Sequence, residues 1–191
     1  MKTLCFFDFD NTLFRSPTPP EWYPSPKGWY SDPRTLSAPC VPDQPGSDWW
    51  IPQTVSLARR AIADPDTWAV LSTGRMATAF RWRIPELLRS AALDFDEVHL
   101  APNSQTRTLS YKANVISTLI GRHKFDVVRI WDDRIEHLQS FKSLVESLGI
   151  PCEAHHVTYP AREPDCGPEA FGLLPDLAHS LLRLARIADG R

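Results

Sequence analysis

The sequence predicts an α/β protein: a Rossmann-like, three-layer α/β/α arrangement around a parallel sheet. Three observations predict it. Short apolar runs alternate with helical patterns along most of the chain, the order that builds βαβ units. Three of those runs end abruptly in polar groups: Asp8 and Asp10 after Leu4–Phe7, Thr73-Gly74-Arg75 after Trp68–Ser72, and Asp132-Asp133-Arg134 after Val127–Trp131. Parallel strands point one way, so these groups converge on one edge, where open α/β sheets place ligands. Finally, 191 residues suffice for one domain with its own core and are short for two. Residues 1–191 are read as a single domain.

Leu4-Cys5-Phe6-Phe7 is continuously apolar, the pattern of a strand buried on both faces. After Phe14 the texture changes. Residues 15–52 hold ten of the 18 prolines, together with Trp22, Tyr23, Trp29, Tyr30, Trp49 and Trp50. Proline at that density excludes helix and central strand, and six aromatics exclude a solvated linker. The segment is expected to be an ordered flap whose aromatics either cover the sheet or line the entrance to the site at Asp8. Residues 53–63 fit a helix with Val55, Leu57, Ala58, Ala61 and Ile62 on one side, broken by Asp64-Pro65-Asp66. Trp68–Ser72 is a second strand. A helix over 76–91 follows, with Pro85 marking a kink or a restart. Val98–Leu100 is a short strand, 104–110 a polar loop, and 112–123 a helix opened by Lys112. Val127–Trp131 is a third core strand. A helix over 134–148 stops at Gly149-Ile150-Pro151. Residues 152–158 form a last strand and 169–188 a closing amphipathic helix.

Hydrophobic (42%) and charged (23%) fractions are those of an ordinary globule. A net charge of −2 excludes a global attraction for long nucleic acid or anionic membrane, leaving room for a local basic patch. Cys5, Cys40, Cys152 and Cys166 show no CxxC spacing, and two of them fall in core strands. Reduced thiols are expected rather than a disulfide framework. The sequence runs from Met1-Lys2 almost directly into Asp8, which is expected to leave no room for the apolar region of a signal peptide, and no apolar run approaches membrane-spanning length. The expectation is a cytoplasmic, or nuclear, protein with no membrane partner.

Carboxylates as close as Asp8 and Asp10 repel unless a cation or a shared proton relieves them. Mg²⁺, which prefers oxygen ligands, is the natural relief. One carboxylate of such a pair can attack phosphorus and form an aspartyl-phosphate, while the other moves protons. Thr12, Thr73, Arg75, Lys112 and the Asp132-Asp133 pair complete an inventory suited to phosphoryl transfer. Singly, each has a plainer reading: a turn, a solvated helix cap, a surface lysine. Their joint order is what points to chemistry.

The succession DxDxT, Ser/Thr after an apolar strand, Lys, then an acidic pair after another strand resembles the haloacid dehalogenase (HAD) superfamily of phosphatases and phosphotransferases. The resemblance implies a HAD-like fold with Asp8 as nucleophile and Asp10 as general acid/base. It implies Mg²⁺ at Asp8, Asp10, Asp132 and Asp133, and phosphate binding by Thr12, Thr73, Gly74, Arg75 and Lys112. FFDFDNTLFRSP, LSTGR and the run Asp132–His137 are similar to the Swiss Army Knife RNA repair-like HAD family. The phosphatase module of polynucleotide kinase-phosphatase has a similar Ser-Gly-Arg, Asp-Asp-Arg and Gly-(Ile/Val)-x-Cys succession. These likenesses imply removal of 3′-phosphates from RNA or DNA ends, with Arg134 and His137 as further substrate contacts or as caps of the acidic loop. No GxxxxGK[ST] loop is present, so no kinase or ligase activity is implied. Rival readings are a small-molecule or phosphoprotein phosphatase of the same fold, and a catalytically inactive binding module.

Between Thr12 and Thr73 lie 60 residues, and between Arg75 and Lys112 only 36. Neither interval holds a large cap, so the flap is expected to form a minimal cap over an open site. Trp22, Trp29, Trp49 and Trp50 are candidates to stack a terminal base. Arg15, Lys27, Arg34, Arg81 and Arg83 are candidates for phosphate contacts.

Overall fold

The computed structural model of the chain describes residues 1–173. Five strands, β1 (Thr3–Phe7), β2 (Thr67–Met76), β3 (Glu97–Ala101), β4 (Val127–Asp132) and β5 (Cys152–His156), form a wholly parallel sheet in the order β3-β2-β1-β4-β5. The helices are α1 (Pro26–Trp29), α2 (Pro52–Ala63), α3 (Ala77–Phe80), α4 (Arg83–Ser90), α5 (Thr108–Arg122) and α6 (Ile135–Ser147). Among the described residues no helix is long and apolar enough to cross a membrane.

Side chains alternate across a strand, and β1 shows why its run is apolar throughout. Leu4 and Phe6 pack with Val70, Val128 and Ile130 under Ile116 and Leu119 of α5 and Leu138 and Phe141 of α6. Cys5 and Phe7 face the opposite layer, with Leu71 and Trp131 under Val55 and Ala58 of α2 and Ile84 and Leu87 of α4. Each such side chain buried contributes roughly 1.5–3 kcal/mol. The order 2-1-4 sets the three strands that end in polar groups side by side, with β1 at the centre.

Element boundaries differ from the sequence reading in instructive places. β2 does not stop at Ser72 but runs through Thr73-Gly74-Arg75 to Met76, with a register shift against β3 between Thr73 and Met76. The helix expected over 76–91 is two helices; Pro85 sits in the first turn of α4, where its missing N–H costs nothing. Thr108, not Lys112, opens α5, so Lys112 lies one turn inside. The closing helix expected over 169–188 begins instead as a 3₁₀ turn, Pro168–Phe171, and beyond Leu173 it lies outside the described residues.

The flap is ordered and clamped. It carries α1 and two 3₁₀ turns, Pro33–Leu36 and Ser47–Trp49. Leu36, Val41, Trp49 and Trp50 enter the main core. Trp29, Cys40, Cys166 and Phe171 form a small second core, joined by Trp22, Tyr23 and Tyr30. Arg83 donates to the flap carbonyls of Leu36 (2.7 Å), Pro42 (2.6 Å) and Asp43 (3.0 Å). Arg162 lies 3.5 Å over the Trp49 ring and pairs with Asp48 at 2.9 Å.

A disulfide joins Cys40 to Cys166 across 126 residues of sequence, which corrects the expectation of reduced thiols throughout. Only the small aromatic core brings the two together, and nothing in their spacing signals it. Cys5 and Cys152 are free and buried, as expected; burial pushes their thiols up to about 12 and about 11. Thiol titration of the unfolded, unreduced protein should therefore detect the two free cysteines and, after reduction, all four. Four reactive thiols before reduction would exclude the bridge. Cys166→Ser is expected to lower unfolding free energy by about 2–4 kcal/mol, read as a drop in Tm.

Candidate active site

Asp8 is the first residue beyond β1. Its N–H donates to the Trp131 carbonyl at 2.9 Å, adding one rung to the β1–β4 ladder and fixing the side chain at the sheet edge. The chain then turns sharply: the Phe9 carbonyl accepts from the N–H groups of Leu13 (3.1 Å) and Phe14 (3.0 Å). Asn11 adopts φ 55° at the turn, a left-handed conformation that asparagine tolerates. Phe9, Leu13 and Phe14 are fully buried beneath, so the polar tip rests on an apolar anchor.

Gly74 decides where α5 sits. A Cβ there would lie 2.6 Å from Thr108 Oγ1, so any larger residue would push the start of α5 away. Thr108 and Lys112 are four apart on one helix face. The close approach at Gly74 thereby delivers Lys112 into the site. Its Nζ, fully buried, is 2.8 Å from Asp8 Oδ1 and 2.7 Å from Asp132 Oδ2.

Asp8, Asp132 and Asp133 each offer a carboxylate oxygen within 4.8 Å of the others. One ammonium does not neutralise three carboxylates. Burial pushes the Asp8 carboxyl up to about 8, Lys112 pulls against it, and Asp132 and Asp133 add to the rise. Asp133 is likewise raised, by burial and then by Asp132 beside it. Burial would also raise Asp132, but His137, Lys112 and the Arg134 N–H together hold it below the usual range. That N–H donates to Asp132 Oδ1 at 3.0 Å. The His137 Nδ1 stands 3.6 Å from Asp132 Oδ2, too far for a hydrogen bond, and has no hydrogen-bond partner among the described residues. An all-oxygen cluster short of positive charge fits a hard divalent cation such as Mg²⁺.

The Asp10 carboxylate is directed to Arg75 instead of this cluster. Arg75 Nε and Nη2 donate to Asp10 Oδ1 at 3.0 and 2.8 Å, and Thr73 Oγ1 donates to Oδ2 at 3.3 Å. Burial would raise the Asp10 carboxyl; the charge and hydrogen bonds of Arg75 more than offset it, and the net shift is downward. Arg75 is itself fully buried. Its guanidinium lies 5.0 Å from the centres of both the Tyr30 and Phe80 rings, and Nη1 donates to Thr35 Oγ1 (2.8 Å) and the Tyr30 carbonyl (3.3 Å). Tyr30 and Thr35 are thus site residues that the sequence did not single out. Tyr30 was one of six flap aromatics, and Thr35 carries no local signal.

The remaining expected residues divide. Thr12 is buried at the turn with its hydroxyl unpartnered among the described residues. The Arg134 guanidinium is half-exposed, 3.8 Å from Asp132 and 3.9 Å from Asp133. The expectation that Trp29 contacts substrate is corrected: its ring is fully buried in the second core and its indole N–H donates to the Pro17 carbonyl at 2.7 Å. Trp49 and Trp50 are buried too, while Trp22 is half-buried against Trp29 and Phe171. Arg15, Arg34 and Arg83 are spent on Asp48, Asp32 and flap carbonyls.

Residues 21–162 match the model of the HAD domain family 1 in Swiss Army Knife RNA repair proteins. An uncharacterised protein of Saccharomyces cerevisiae, YMR265C, is 27% identical over 177 residues, spanning 78% of this chain and 38% of the yeast protein. Among solved structures, the Pnkp1/Rnl/Hen1 RNA repair complex aligns with TM-score 0.54 and 16% identity over 86% of this chain and 44% of that one. The HAD domain of the Legionella pneumophila effector Lem4, in an inactive mutant, aligns with TM-score 0.53 and 12% identity over 96% and 98%. At these identities the solved structures speak for the fold alone, and the chain spans under half of the yeast protein and of the RNA repair chain. The parallel sheet, the polar strand ends gathered on its edge and the match over 21–162 agree, and the chain belongs to the HAD domain family 1 of Swiss Army Knife RNA repair proteins.

Proposed function

We propose that the chain is a Mg²⁺-dependent phosphoric monoester hydrolase that works through an aspartyl-phosphate on Asp8 and removes terminal phosphate, by preference the 3′-phosphate, from nucleic acid ends. The observation that carries this reading is the partition of carboxylates: Asp8 shares Lys112 with Asp132 beside Asp133, while Asp10, two residues on, is held apart by Arg75. Two neighbouring carboxylates in opposed environments are the usual basis for two distinct roles.

In the first step an Asp8 oxygen attacks phosphorus, the bond from phosphorus to the leaving oxygen breaks, and Asp10 donates a proton to that oxygen. In the second, Asp10 takes a proton from the water that attacks phosphorus, and phosphate departs from Asp8. Arg75 favours the ionised, proton-accepting form of Asp10. An incoming phosphate dianion adds negative charge nearby and raises Asp10 toward the acid form needed first. Lys112 and Thr73 are placed to offset and orient phosphoryl oxygens. A Mg²⁺ ion at Asp8, Asp132 and Asp133 would supply further positive charge against those oxygens. The family supports a nucleic acid substrate, as does a flap packed on the body rather than raised as a cap, which suits a phosphate carried by a large molecule.

Asp8→Asn should abolish phosphate release from p-nitrophenyl phosphate and from a 3′-phosphorylated oligonucleotide; turnover at the wild-type rate would sink the mechanism. A panel of nucleotides, sugar phosphates and phosphopeptides locates the substrate class, and a preference for any of these over the oligonucleotide would remove the nucleic acid assignment.

A second prediction concerns the cation. Because the folded Asp8 titrates near 8, well above the ordinary range of about 4, the folded state alone holds that proton between these values. Without a cation, stability from this group is full at low pH and is lost as pH rises toward 8. Mg²⁺ replaces the proton, so it should raise Tm more at pH 8 than at pH 5. Equal shifts at both values would contradict the assigned site.

Arg75→Met leaves the Asp10 carboxylate buried and unpaired, at an expected cost of about 3–5 kcal/mol. Adding Asp10→Asn should recover part of that loss in a double-mutant cycle; strict additivity of the two would show that the pair is not coupled.

A further inference from the structure

Of the chain's seven tryptophans, Trp29, Trp49, Trp50 and Trp131 are buried and Trp22 and Trp68 are half-buried. Trp82 is 75% exposed. Nothing local calls for it. It is the N-cap residue of α4, with helical backbone angles, and its side chain makes no cap hydrogen bond. Leaving the ring in water also forgoes the large burial gain of an aromatic side chain. A residue that breaks local rules without a packing return is characteristic of a functional position.

Its placement is informative. β2 delivers Arg75 to the catalytic edge, and the Arg75 guanidinium lies against Phe80. Trp82 follows two residues later, its Cα within about 7 Å of that of Phe80 by chain reach. The Arg81 guanidinium stands 5.2 Å from the centre of the Trp82 ring, most of which remains in solvent. Arg107 is exposed immediately before Thr108, the residue packed on Gly74. Arg81 and Arg107 make no side-chain hydrogen bond or ion pair among the described residues, unlike Arg15, Arg34 and Arg83. In a chain of net charge −2, two guanidinium groups without a carboxylate partner among the described residues, one five residues beyond β2 and one next to the residue packed on Gly74, are a basic feature.

We propose that Trp82, with Arg81 and Arg107, forms the platform on which a single-stranded nucleic acid substrate rests, the indole stacking a base near the phosphorylated terminus and the arginines meeting backbone phosphates. The platform rests on the nucleic acid reading above. Stacking tolerates any base, because every base has a π-face, so the platform selects single strands without selecting sequence. It replaces the flap indoles, which are consumed by the two cores.

The test is an anisotropy titration of the full chain in the Asp8→Asn background with a labelled, 3′-phosphorylated oligoadenylate. Trp82→Ala should weaken binding roughly 5- to 150-fold, the range of one lost base stack, and Trp82→Phe should restore most of it. Arg81→Ala should reduce the slope of log affinity against log salt by about one. An unchanged Tm for Trp82→Ala, expected for so exposed a ring, separates lost contact from lost fold. If the parent binds and Trp82→Ala binds as tightly, the platform is overturned while the nucleic acid reading stands. If the parent hydrolyses an aryl phosphate yet its Asp8→Asn form does not bind the oligonucleotide, the reading itself fails and the platform with it. If Trp82→Ala instead converts a sedimenting dimer to monomer with oligonucleotide binding intact, Trp82 belongs to self-association and the platform is likewise overturned.

Discussion

The architecture of the site depends on one buried ammonium. Lys112 has no access to water and stands within 2.8 Å of Asp8 and 2.7 Å of Asp132. A buried charge is tolerable only when paired, and here the partners come from the ends of two adjacent strands while the lysine comes from a helix. The three elements are thereby locked in one relative position. The lock closes only because α5 can approach β2 at Gly74, where a side chain would strike Thr108. A residue without chemistry of its own thus sets the position of the ammonium that holds Asp8.

Arg75 is the second node, and it works on a different carboxylate. It takes Asp10 on one side and the flap, through Thr35 and the Tyr30 carbonyl, on the other. Two buried cations thus divide the acidic residues into two groups. Asp8 and Asp133 are pushed up by burial and crowding, while Asp10 is held down by its own guanidinium. Residues two apart in sequence come to opposite electrostatic states because the chain turns sharply after Asp8, so that Asp8 meets Lys112 of α5 and Asp10 meets Arg75 of β2.

Much of this was legible in the sequence because it depends on short-range patterns. The apolar strands and their polar ends reveal themselves by burial period and by abrupt polarity changes, and the parallel sheet follows from the alternation. The flap announced its order through its aromatics. What escaped is settled by packing at a distance. Cys40 and Cys166 meet through a small aromatic core that no spacing encodes. The extension of β2 through Arg75 to Met76 is set by pairing with β3, where Met76 meets Ala101 across a register shift. Trp29 and Trp82 are chemically identical in the sequence, and only the fold makes one a core residue and the other a surface residue.

These corrections alter the role of the flap. Its indoles fill cores, Arg83 and Arg162 clamp it, and the disulfide ties it to the segment after β5. A segment held at so many points is poorly suited to opening and closing over a substrate. Its contribution is to hold Tyr30 and Thr35 rigidly against Arg75, so that the orientation of Asp10 is fixed before substrate arrives. Such preorganisation suits the proton-transfer role proposed for Asp10, because a small misplacement of a reacting group costs a large factor in rate. On the function proposed above, discrimination among substrates falls to residues outside the flap, with Arg81, Trp82 and Arg107 exposed and Arg134 beside Asp132 and Asp133. The flap, conspicuous in the sequence for its tryptophans, spends most of them on packing, and a tryptophan outside it, Trp82, is the one that faces solvent.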